Sequence, residues 1–474
     1  MLFPAPPTPL ATSVASGSRP LWAAGAGAMT GTREASALDD ELRRWVEQAA
    51  GGSVGACRRT ASGGSRDTYL VDVITAAHGL VPLVLRVDGA GSFTGTEVSL
   101  VREAAVYRAL AGTAVPAPGL VAISADGRAV LLERLPGTDD LSGLADDERR
   151  AVLDDFIDAI GALHRLDVED LDLPGFPRPA TPEEHARLDL AMWGRLAERV
   201  DGLDPLIAYA GAYLGAHPPR AVARTVLVQG DTGPGNFLAH EGRVSGLVDM
   251  EFAHVGDPMD DVAWIEMRTA GQPVDLGRML ARYEQASGIA LDEASVAFYR
   301  VAVQYRCAVT TSLAVARGGG ARGWPPYVLV TQRYLQGIAT TLSALTGVEE
   351  PAVPPTAGDD TPRTAWYDHL QAAVRAAVKG IADPALREET RNSLILLYYL
   401  RDHDRMRGEL DRTEQADLDA SLGLAAGDRD GLATAARAGG TAGDPAVLRY
   451  LLRRRQRRAA PWQSVLSRRG RAGG

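Results

Sequence analysis

Three polar side chains near the middle of the chain have types and spacing suited to phosphoryl transfer. The segment LVQGDTGPGNFL, residues 227–238, places Asp231 and Asn236 in a loop between two runs of strand-forming residues. An aspartate there can orient a hydroxyl group and accept its proton, and a nearby carboxamide can bind a metal ion. A further ligand, Asp249, ends the next β-rich run, GRVSGLVD. Because Mg²⁺ prefers oxygen ligands and needs only one or two protein groups beside phosphates, Asn236 and Asp249 predict a magnesium site.

Glu251 lies two residues after Asp249 and would share its face if the strand continues. Glu251 could then bind the metal ion through water or assist a second metal ion, or it could support the metal ligands without binding the metal. Asp, Gly, Pro and Asn are also the common residues of turns that have no catalytic role. A bare turn, however, does not require Asp249 or the later Gly256-Asp257-Pro258 at these distances, so the pattern favours the catalytic interpretation. Asp257 itself is predicted to cap a helix.

The composition predicts a buried core and argues against nucleic acid as a partner. Of the 474 residues 46% are hydrophobic, and the net charge is −10 at pH 7, whereas nucleic-acid binding needs a basic surface. Cys57 and Cys307 are too far apart to indicate a disulfide scaffold or a zinc site. No stretch is long and apolar enough to span a bilayer, so we expect no membrane contact and a cytoplasmic location. The Pro-, Ala- and Gly-rich start lacks signal-peptide features, and Met29 is a candidate for the true start.

The order of the predicted elements indicates an α+β protein with two lobes and an additional helical region. Residues 54–135 combine β-rich runs, such as TYLVDVIT and LVPLVLRVDG, with one helix. From about residue 145 the pattern is helical, with a β-hairpin inserted at 225–249. The predicted organisation is a disordered extension at 1–35, an N-lobe at 36–137, a C-lobe at 138–347, a Pro-rich linker at 348–363, a helical domain at 364–458 and a basic tail at 459–474.

These motifs together resemble those of a known enzyme family. The stretch QGDTGPGNFL…GLVDMEFAHVGDPMDDVAW is similar to the signature of the aminoglycoside phosphotransferase-like family of small-molecule kinases. It resembles most the bacterial branch related to the kinase-like domain fused to some acyl-CoA dehydrogenases. The family pattern is His-Gly-Asp, four residues, Asn, a strand ending in a metal-binding Asp, and then Gly-Asp-Pro. The resemblance covers about residues 38–346 and implies a bilobal protein-kinase-like fold, ATP or GTP as the donor, and Mg²⁺ as a cofactor.

The resemblance also implies roles for residues of the catalytic region. Asp231 would be the catalytic base, and Asn236 and Asp249 would hold magnesium. Asp261 would support the catalytic loop from the following helix. His164, in ALHRLD, is predicted to be a packed or capping histidine outside the site.

For the first lobe, the resemblance implies a phosphate-binding region. Gly63, Gly64 and Ser65 would form the loop that covers the phosphates with backbone amides. Arg86, in LVLRVDG, would take the place of the phosphate-binding lysine of the family. Glu103, on the helix that follows, would be its ion-pair partner.

The nucleotide site rests on the joint order of these residues. Taken alone, a glycine pair usually forms an ordinary turn. Arg86 alone would be a surface residue at a strand edge, and Glu103 alone would be a solvated residue of a helix. In this chain they are followed by LLERLPG, which resembles the hinge, and the backbone at Glu133 and Leu135 would hold adenine. The complete order favours the nucleotide site.

The sequence departs from the family pattern at two positions. Gln229 stands where the family has His, which mainly fixes the loop, and Gln can also donate and accept hydrogen bonds. Arg86 stands where the family has Lys, although Arg is common there in the branch related to acyl-CoA dehydrogenases. Arg is always charged and can bind phosphate through two donors, but its shape differs.

The acceptor is left open by the sequence. A polycationic aminoglycoside would call for carboxylates, and Glu183, Glu184 and Asp189 lie in one of the helical regions expected to form the pocket, at about 182–215 and 290–345. The second region is rather apolar with scattered arginines. It suits a macrolide-like, lipid-like or hydroxyacyl-CoA-like acceptor at least as well.

Two alternative functions are weighed against a small-molecule kinase. A nucleotide-binding scaffold of the same fold, with weak or no catalysis, is favoured by Gln229, Arg86 and the extra helical region. A protein kinase is disfavoured, because the segment between Asp249 and Gly256 is too short for an activation loop. The expected partners are a nucleotide and a small-molecule hydroxyl acceptor, and apolar faces of the C-terminal helices could also support a homodimer.

Overall fold

A five-stranded antiparallel sheet with two helices forms the first lobe of the computed structural model, which describes residues 38–60, 66–89, 98–316, 325–353 and 358–472. The elements of this lobe are α1 (Asp40–Ala50), β1 (Gly52–Arg59), β2 (Arg66–Thr75), β3 (Gly79–Asp88), α2 (Leu100–Leu110), β4 (Leu120–Ile123) and β5 (Ala129–Glu133). The strands lie in the order β1-β2-β3-β5-β4.

The pairing of β2 with β3 decides which side chains face the second lobe. Successive side chains of a strand point to opposite faces. Val71 and Leu85 therefore fill the core between the sheet and α1. Thr68 is paired with Arg86, so Arg86 shares the other face of the sheet with Arg66. Both arginines thus lie on the side that α2 covers.

The second lobe is helical and contains two short two-stranded sheets. Its elements are α3 (Asp146–Arg165), α4 (Pro182–Ala197), α5 (Pro205–Ala216), β6 (Val226–Val228), β7 (Phe237–His240), β8 (Arg243–Leu247), β9 (His254–Gly256), α6 (Met259–Thr269), α7 (Leu276–Ser287), α8 (Glu293–Ala316) and α9 (Pro325–Thr346), with single 3₁₀ turns at Val168–Asp170 and Met250–Phe252. β6 pairs with β9, and β7 pairs with β8. The expected hairpin insertion is therefore present, and the bilobal α+β fold of the protein-kinase type is confirmed.

The hairpin of β7 and β8 docks against the segment that connects the lobes. Thr138 and Ala239 exchange backbone hydrogen bonds of 3.0 and 2.8 Å. Gly137 has a φ of 115°, and a Cβ there would lie 2.3 Å from the carbonyl oxygen of Ala239. Only glycine allows so close an approach, so the hairpin that carries the predicted metal ligands is fixed to the hinge.

The C-terminal helices pack onto the second lobe and share its hydrophobic core. They are α10 (Thr364–Gly380), α11 (Pro384–Leu422), α12 (Arg429–Ala442) and α13 (Pro445–Ala472). Leu432, Ala436 and Leu448 belong to the same buried cluster as Tyr209 of α5. The helical region predicted at 364–458 is thus joined to the second lobe by a continuous core. The Pro-rich stretch before this region suggested a separate domain. The close contact between Gly440 and Tyr209 joins residues far apart in the sequence, so no local pattern predicted it.

The segment predicted as a basic tail at 459–474 is helical up to Ala472. Trp462 is buried and stacks on Tyr399, with ring centroids 3.9 Å apart. The arginines before it are neutralised by carboxylates: Arg453 and Arg457 pair with Asp417, Arg454 with Asp204 and Glu414, Arg455 with Glu350, and Arg458 with Glu414. Within the described ranges no helix is long and apolar enough to cross a membrane.

The contact between α12 and α5 gives a prediction about stability. A Cβ at Gly440 would lie 2.3 Å from the backbone oxygen of Tyr209, so Gly440→Ala should destabilise the protein by about 1–3 kcal/mol through overpacking. Gly408, exposed in α11, has open space around it, so Gly408→Ala should stabilise by about 0.5–1 kcal/mol. Urea unfolding of both variants measures the difference. Stabilisation by both substitutions would show that α12 does not pack on α5.

Candidate active site

The catalytic loop between β6 and β7 depends on glycine at three positions. Gly230, Gly233 and Gly235 have φ angles of 82°, 149° and 100°, a region that residues with a Cβ rarely adopt. At Gly230 a Cβ would also lie 2.4 Å from the carbonyl oxygen of Phe252. The loop therefore passes directly against the turn that follows β8, and this brings the two predicted catalytic segments together.

A single buried carboxylate, that of Asp261 in the first turn of α6, fixes this loop. It accepts hydrogen bonds from the backbone N–H groups of Gln229 at 2.8 Å and Gly230 at 3.0 Å, and from the hydroxyl of Thr232. Nε2 of His164 in α3 lies 3.0 Å from the same carboxylate. Asp261 is wholly buried, and its four partners hold the loop around its central aspartate.

His164, which the sequence interpretation left outside the site, connects the loop support to α7. Its Nδ1 lies 2.7 Å from the hydroxyl of Tyr283, and the ring is wholly buried. Because the carboxylate of Asp261 only accepts, Nε2 carries the proton and Nδ1 accepts from the tyrosine. His164 and Asp261 are 97 positions apart, so no local pattern could reveal the pair.

Gln229 occupies the position at which the family has His. Its Nε2 donates to the carbonyl oxygens of Asn236 at 3.2 Å and Val248 at 2.9 Å. The side chain is fully buried, and these two carbonyls fix the amide orientation because only the NH₂ group can donate to both. Gln229 therefore joins the catalytic loop to the end of the β7–β8 hairpin.

Asp231 is held in one orientation from two sides. Nδ2 of Asn236 lies 2.7 Å from both the backbone oxygen and the Oδ2 of Asp231. Arg268 of α6 donates its Nε–H to Oδ1 at 2.8 Å and its Nη2–H to Oδ2. Burial raises the pKa of the Asp231 carboxyl, and the charge of Arg268 opposes this effect. Three N–H groups face a carboxylate with about four acceptor positions, which leaves one for a hydroxyl group.

Arg268 was not predicted from the sequence, although a helical signal for it exists. It follows Asp261 by seven residues and Trp264 by four, a spacing that puts the three on one face of α6. That face meets the catalytic loop. An arginine at this position was therefore a candidate to contact Asp231.

Asp249 lies at the end of the hairpin in a conformation that costs backbone energy. Its φ of 61° and ψ of 58° are left-handed, which costs a residue with a Cβ about 1–2 kcal/mol. Its Oδ1 accepts from Nη2 of Arg86 at 2.9 Å, and Nη1 of Arg86 lies 2.8 Å from Oε1 of Glu103. Burial raises the pKa of Asp249, but Arg86, Arg66 and Arg268 together lower it by more, so the net pKa is lowered. Arg86 thus links α2 to the predicted metal ligand.

Arg66, which was also missed, completes this cluster. It is 3% exposed and forms ion pairs with Glu103, with Glu251 at 3.3 Å and with Asp88 at 3.6 Å. Burial, followed by the charge of Asp249, raises the pKa of Glu251 to about 7. The contacts of Arg66 follow from strand register and lobe packing, which the sequence alone does not specify.

The predicted magnesium ligands fit a divalent cation. The side-chain nitrogen Nδ2 of Asn236 points to Asp231, so the side-chain oxygen Oδ1 points away from it. Oδ1 accepts no hydrogen bond from the part of the chain that the structure describes. Oδ2 of Asp249 has no partner there either. The backbone N–H of Val248 donates to the oxygen of Asn236 at 3.0 Å, which places the two ligands at adjoining strand ends. The carboxylate of Glu251 instead faces Arg66 at 3.3 Å and Arg86 at 3.9 Å.

The predicted adenine contacts lie where the lobes connect. The backbone N–H of Glu133 donates to Gly119 at 2.8 Å, whereas that of Leu135 donates to no residue within the described ranges. The side chain of Leu135 packs over Gly246 of β8, where a Cβ would lie 2.1 Å from it. The predicted phosphate loop, Gly63–Ser65, lies outside the described residues.

A second polar cluster, formed by Asp189, His254 and Asp260, has spacing that could hold a metal ion. Arg306 fills it instead, with 2.6 Å to Asp189 and 2.8 Å to both oxygens of Asp260. Nδ1 of His254 lies 3.1 Å from the oxygen of Phe252, and Nε2 lies 3.3 Å from Asp260. Because both neighbours accept, only the imidazolium form satisfies both contacts. The cluster is an ion-pair network that joins α4, α6 and α8.

The contacts of Gln229 give a prediction for the loop. Gln229→Glu puts a carboxylate against two carbonyl oxygens in a buried site and should destabilise the protein by about 3 kcal/mol or more. Gln229→Met loses the same donors without adding charge and should cost about 1–3 kcal/mol. Urea unfolding of both variants makes the comparison. Equal losses would contradict the donor role.

The second cluster predicts a pH-dependent contribution to stability. Burial lowers the pKa of His254, but Asp260 outweighs it and raises the net pKa above the ordinary 6.5. The imidazolium therefore stabilises the fold fully below pH 6.5, and this contribution is lost as the pH rises through the folded-state pKa. His254→Gln should remove it, so the difference in unfolding free energy between wild type and variant should shrink from pH 6 to pH 9. A difference that grows with pH would contradict the assignment.

Comparisons with known proteins identify the family of the chain. The model of the phosphotransferase enzyme family matches residues 56–299, which is more than half of the chain. Acyl-CoA dehydrogenase family member 10 of Mus musculus is 27% identical over 198 residues, which are 38% of this chain and 18% of that protein. The chain thus spans less than a fifth of the length of this curated relative.

Solved phosphotransferase structures resemble the chain at lower identity. A macrolide 2′-phosphotransferase from Brachybacterium faecium is 19% identical, with a TM-score of 0.44, and the match covers 62% of this chain and 98% of that one. A thermostable mutant of the aminoglycoside phosphotransferase APH(4)-Ia, in complex with ADP and hygromycin B, is 18% identical, with a TM-score of 0.46 and coverage of 64% and 98%. Because the family model matches more than half of its residues, the chain belongs to the phosphotransferase enzyme family.

Proposed function

We propose that the protein transfers the γ-phosphoryl group of ATP or GTP to a hydroxyl group of a small molecule with Mg²⁺. The observation that carries this proposal is the link between the two predicted catalytic carboxylates. Asn236 hydrogen bonds to Asp231 through its side chain and to Val248, the neighbour of Asp249, through its backbone. A base and a metal ligand are thereby held on either side of one carboxamide, as phosphoryl transfer needs.

The proposed reaction breaks one bond and forms one bond at phosphorus. The acceptor hydroxyl hydrogen bonds to Asp231, and its oxygen attacks the γ-phosphorus in line with the leaving oxygen. The bond between the γ-phosphorus and the bridging oxygen breaks, and the electron pair leaves with the nucleoside diphosphate. The hydroxyl proton moves to Asp231, whose orientation is kept by Asn236 and Arg268.

The residues of the first lobe have a separate task, which is to position the donor. Arg86 is held by Glu103 and presents a fixed positive charge near Asp249, where the phosphates would lie. Mg²⁺ bound by Asn236 and Asp249 would neutralise phosphate charge during transfer. The N–H of Leu135 at the hinge, which has no acceptor within the described part of the chain, would donate to adenine or guanine.

Two substitutions separate binding from transfer. Asp249→Ala removes a metal ligand, so it should abolish the magnesium-dependent rise in melting temperature caused by ATP or GTP. Asp231→Ala should retain that rise but lower the transfer of labelled phosphate by 10²-fold or more, because only the base is lost. The acceptors are a mixed set of aminoglycosides, macrolides, amino alcohols and hydroxyacyl-CoA compounds.

The pattern of failure identifies the error. Nucleotide stabilisation in wild type without a labelled product from any acceptor would favour the alternative of a nucleotide-binding scaffold. Retained transfer in Asp231→Ala would show that another group accepts the proton. Magnesium-dependent stabilisation that survives Asp249→Ala would place the metal elsewhere.

A further inference from the structure

The side of Asp231 that faces away from the first lobe is occupied by a cation. Arg268 reaches Asp231 from α6, whereas Arg86 and Asp249 approach the cleft from the first lobe and the hairpin. Cys307 of α8 and Tyr334 of α9 lie close enough to Arg268 to interact with it electrostatically. Because the nucleotide is expected on the side of the first lobe, Arg268 marks the side from which the acceptor enters.

The guanidinium of Arg268 is fixed, and two of its N–H groups have no acceptor among the residues that the structure describes. Its Nε and Nη2 donate to Asp231, and its Nη1 donates to the carbonyl oxygen of Pro234 at 3.0 Å. These bonds use three of the five N–H groups of an arginine. Gly233 makes room for the side chain, since a Cβ there would lie 2.6 Å from Cδ of Arg268. The side chain is only 12% exposed, so these bonds hold the guanidinium rigidly in a largely enclosed position.

Asp189 and Glu184, two of the three carboxylates predicted to attract a cationic acceptor, are engaged elsewhere, and the third, Glu183, is exposed to solvent. Asp189 is held by Arg306, and Glu184 accepts a hydrogen bond from the backbone of Ala180 at 2.8 Å at the start of its own helix. On α6, Glu266 accepts two hydrogen bonds from Arg300, at 2.6 and 2.8 Å. Burial raises the pKa of the Cys307 thiol to about 12, so the thiol beside Arg268 adds no negative charge at neutral pH.

We propose that Arg268 is a specificity-determining residue that selects an acceptor with an anionic group, a carboxylate or a phosphate, close to the hydroxyl that is phosphorylated. The inference rests on the proposed function. The two unused N–H groups of Arg268 bind the anion, while its other donors keep Asp231 in place. One guanidinium thereby fixes the acceptor relative to the base. A fixed, planar arrangement of donors suits carboxylates and phosphates in particular.

The test compares acceptors that differ in one charge. Labelled Mg-ATP and Mg-GTP are supplied with hydroxyalkanoates of four to ten carbons and with their methyl esters. Glycerol 3-phosphate against glycerol forms the phosphate arm, and kanamycin is the polycationic control. Wild type should label the acids or the phosphate at least tenfold better, in kcat/KM, than the matched neutral compounds.

The variants show whether Arg268 is responsible. Arg268→Met removes the charge and should lower kcat/KM for the anionic acceptor at least tenfold more than for its neutral partner. Most of this extra loss should appear in KM. Arg268→Lys should restore part of the preference. The control is Arg282→Met, which removes an arginine of α7 that pairs with Asp158 of α3 outside the site and should leave the preference unchanged.

The outcomes distinguish this proposal from the proposed function. Preferred labelling of a neutral or polycationic acceptor would overturn the role of Arg268 while leaving the kinase function intact, as would an unchanged preference in Arg268→Met. If the wild-type protein labels no acceptor, the proposed kinase function is contradicted. The anion site is then tested by ligand binding without phosphoryl transfer. Inorganic phosphate and 4-hydroxybutyrate are then titrated calorimetrically into wild type and Arg268→Met in Mg-ADP. Binding that depends on Arg268 supports the proposal, and its absence overturns it.

Discussion

The catalytic region depends on one buried interaction, the acceptance of loop hydrogen bonds by the carboxylate of Asp261. The loop contains three glycines at positive φ, so it has little conformational preference of its own. Asp261 lies in the first turn of α6, where the helix dipole favours a negative charge, and is bonded to two backbone N–H groups on one side of Asp231 and to a hydroxyl on the other. A buried anion without these partners would be costly, so the loop and the carboxylate stabilise each other.

The same helix contacts the predicted base about two turns further on. Arg268 extends from the last turn of α6 to Asp231, while Asp261 holds the loop backbone from the first turn. One helix, α6, therefore fixes both the loop backbone and the side chain of Asp231, the proposed base. Asp260 on this helix is paired with Arg306 of α8, which connects α6 to the helices on the acceptor side.

The family, the fold and the enzyme class could be predicted from the sequence, because they depend on motifs that are local in the chain. QGDTGPGNFL and the later Gly-Asp-Pro identify their loops by residue type and spacing. The roles of Asp231, Asn236 and Asp249 remain predictions, and the structure adds their contacts. What the sequence did not reveal depends on packing over long distances. Arg66 and His164 have no local signature, and the union of the C-terminal helices with the second lobe depends on the close approach of Gly440 to Tyr209.

The two departures from the family pattern are consistent with the contacts around them. Gln229 must donate to two carbonyl oxygens at once, and its NH₂ group does so from one nitrogen, whereas each ring nitrogen of a histidine carries one hydrogen. Arg86 must contact Glu103 and Asp249 together, and the two nitrogens of its guanidinium reach both, whereas the ammonium of a lysine is a single point of charge. Arg66 then shares Glu103 with Arg86 and pairs with Glu251 and Asp88. With Asp249, four carboxylates face these two arginines, so carboxylates outnumber cations in the cleft. Such an excess is compatible with nucleotide phosphates only when a divalent cation accompanies them, so the arginines of the first lobe and the predicted magnesium site are parts of one charge balance.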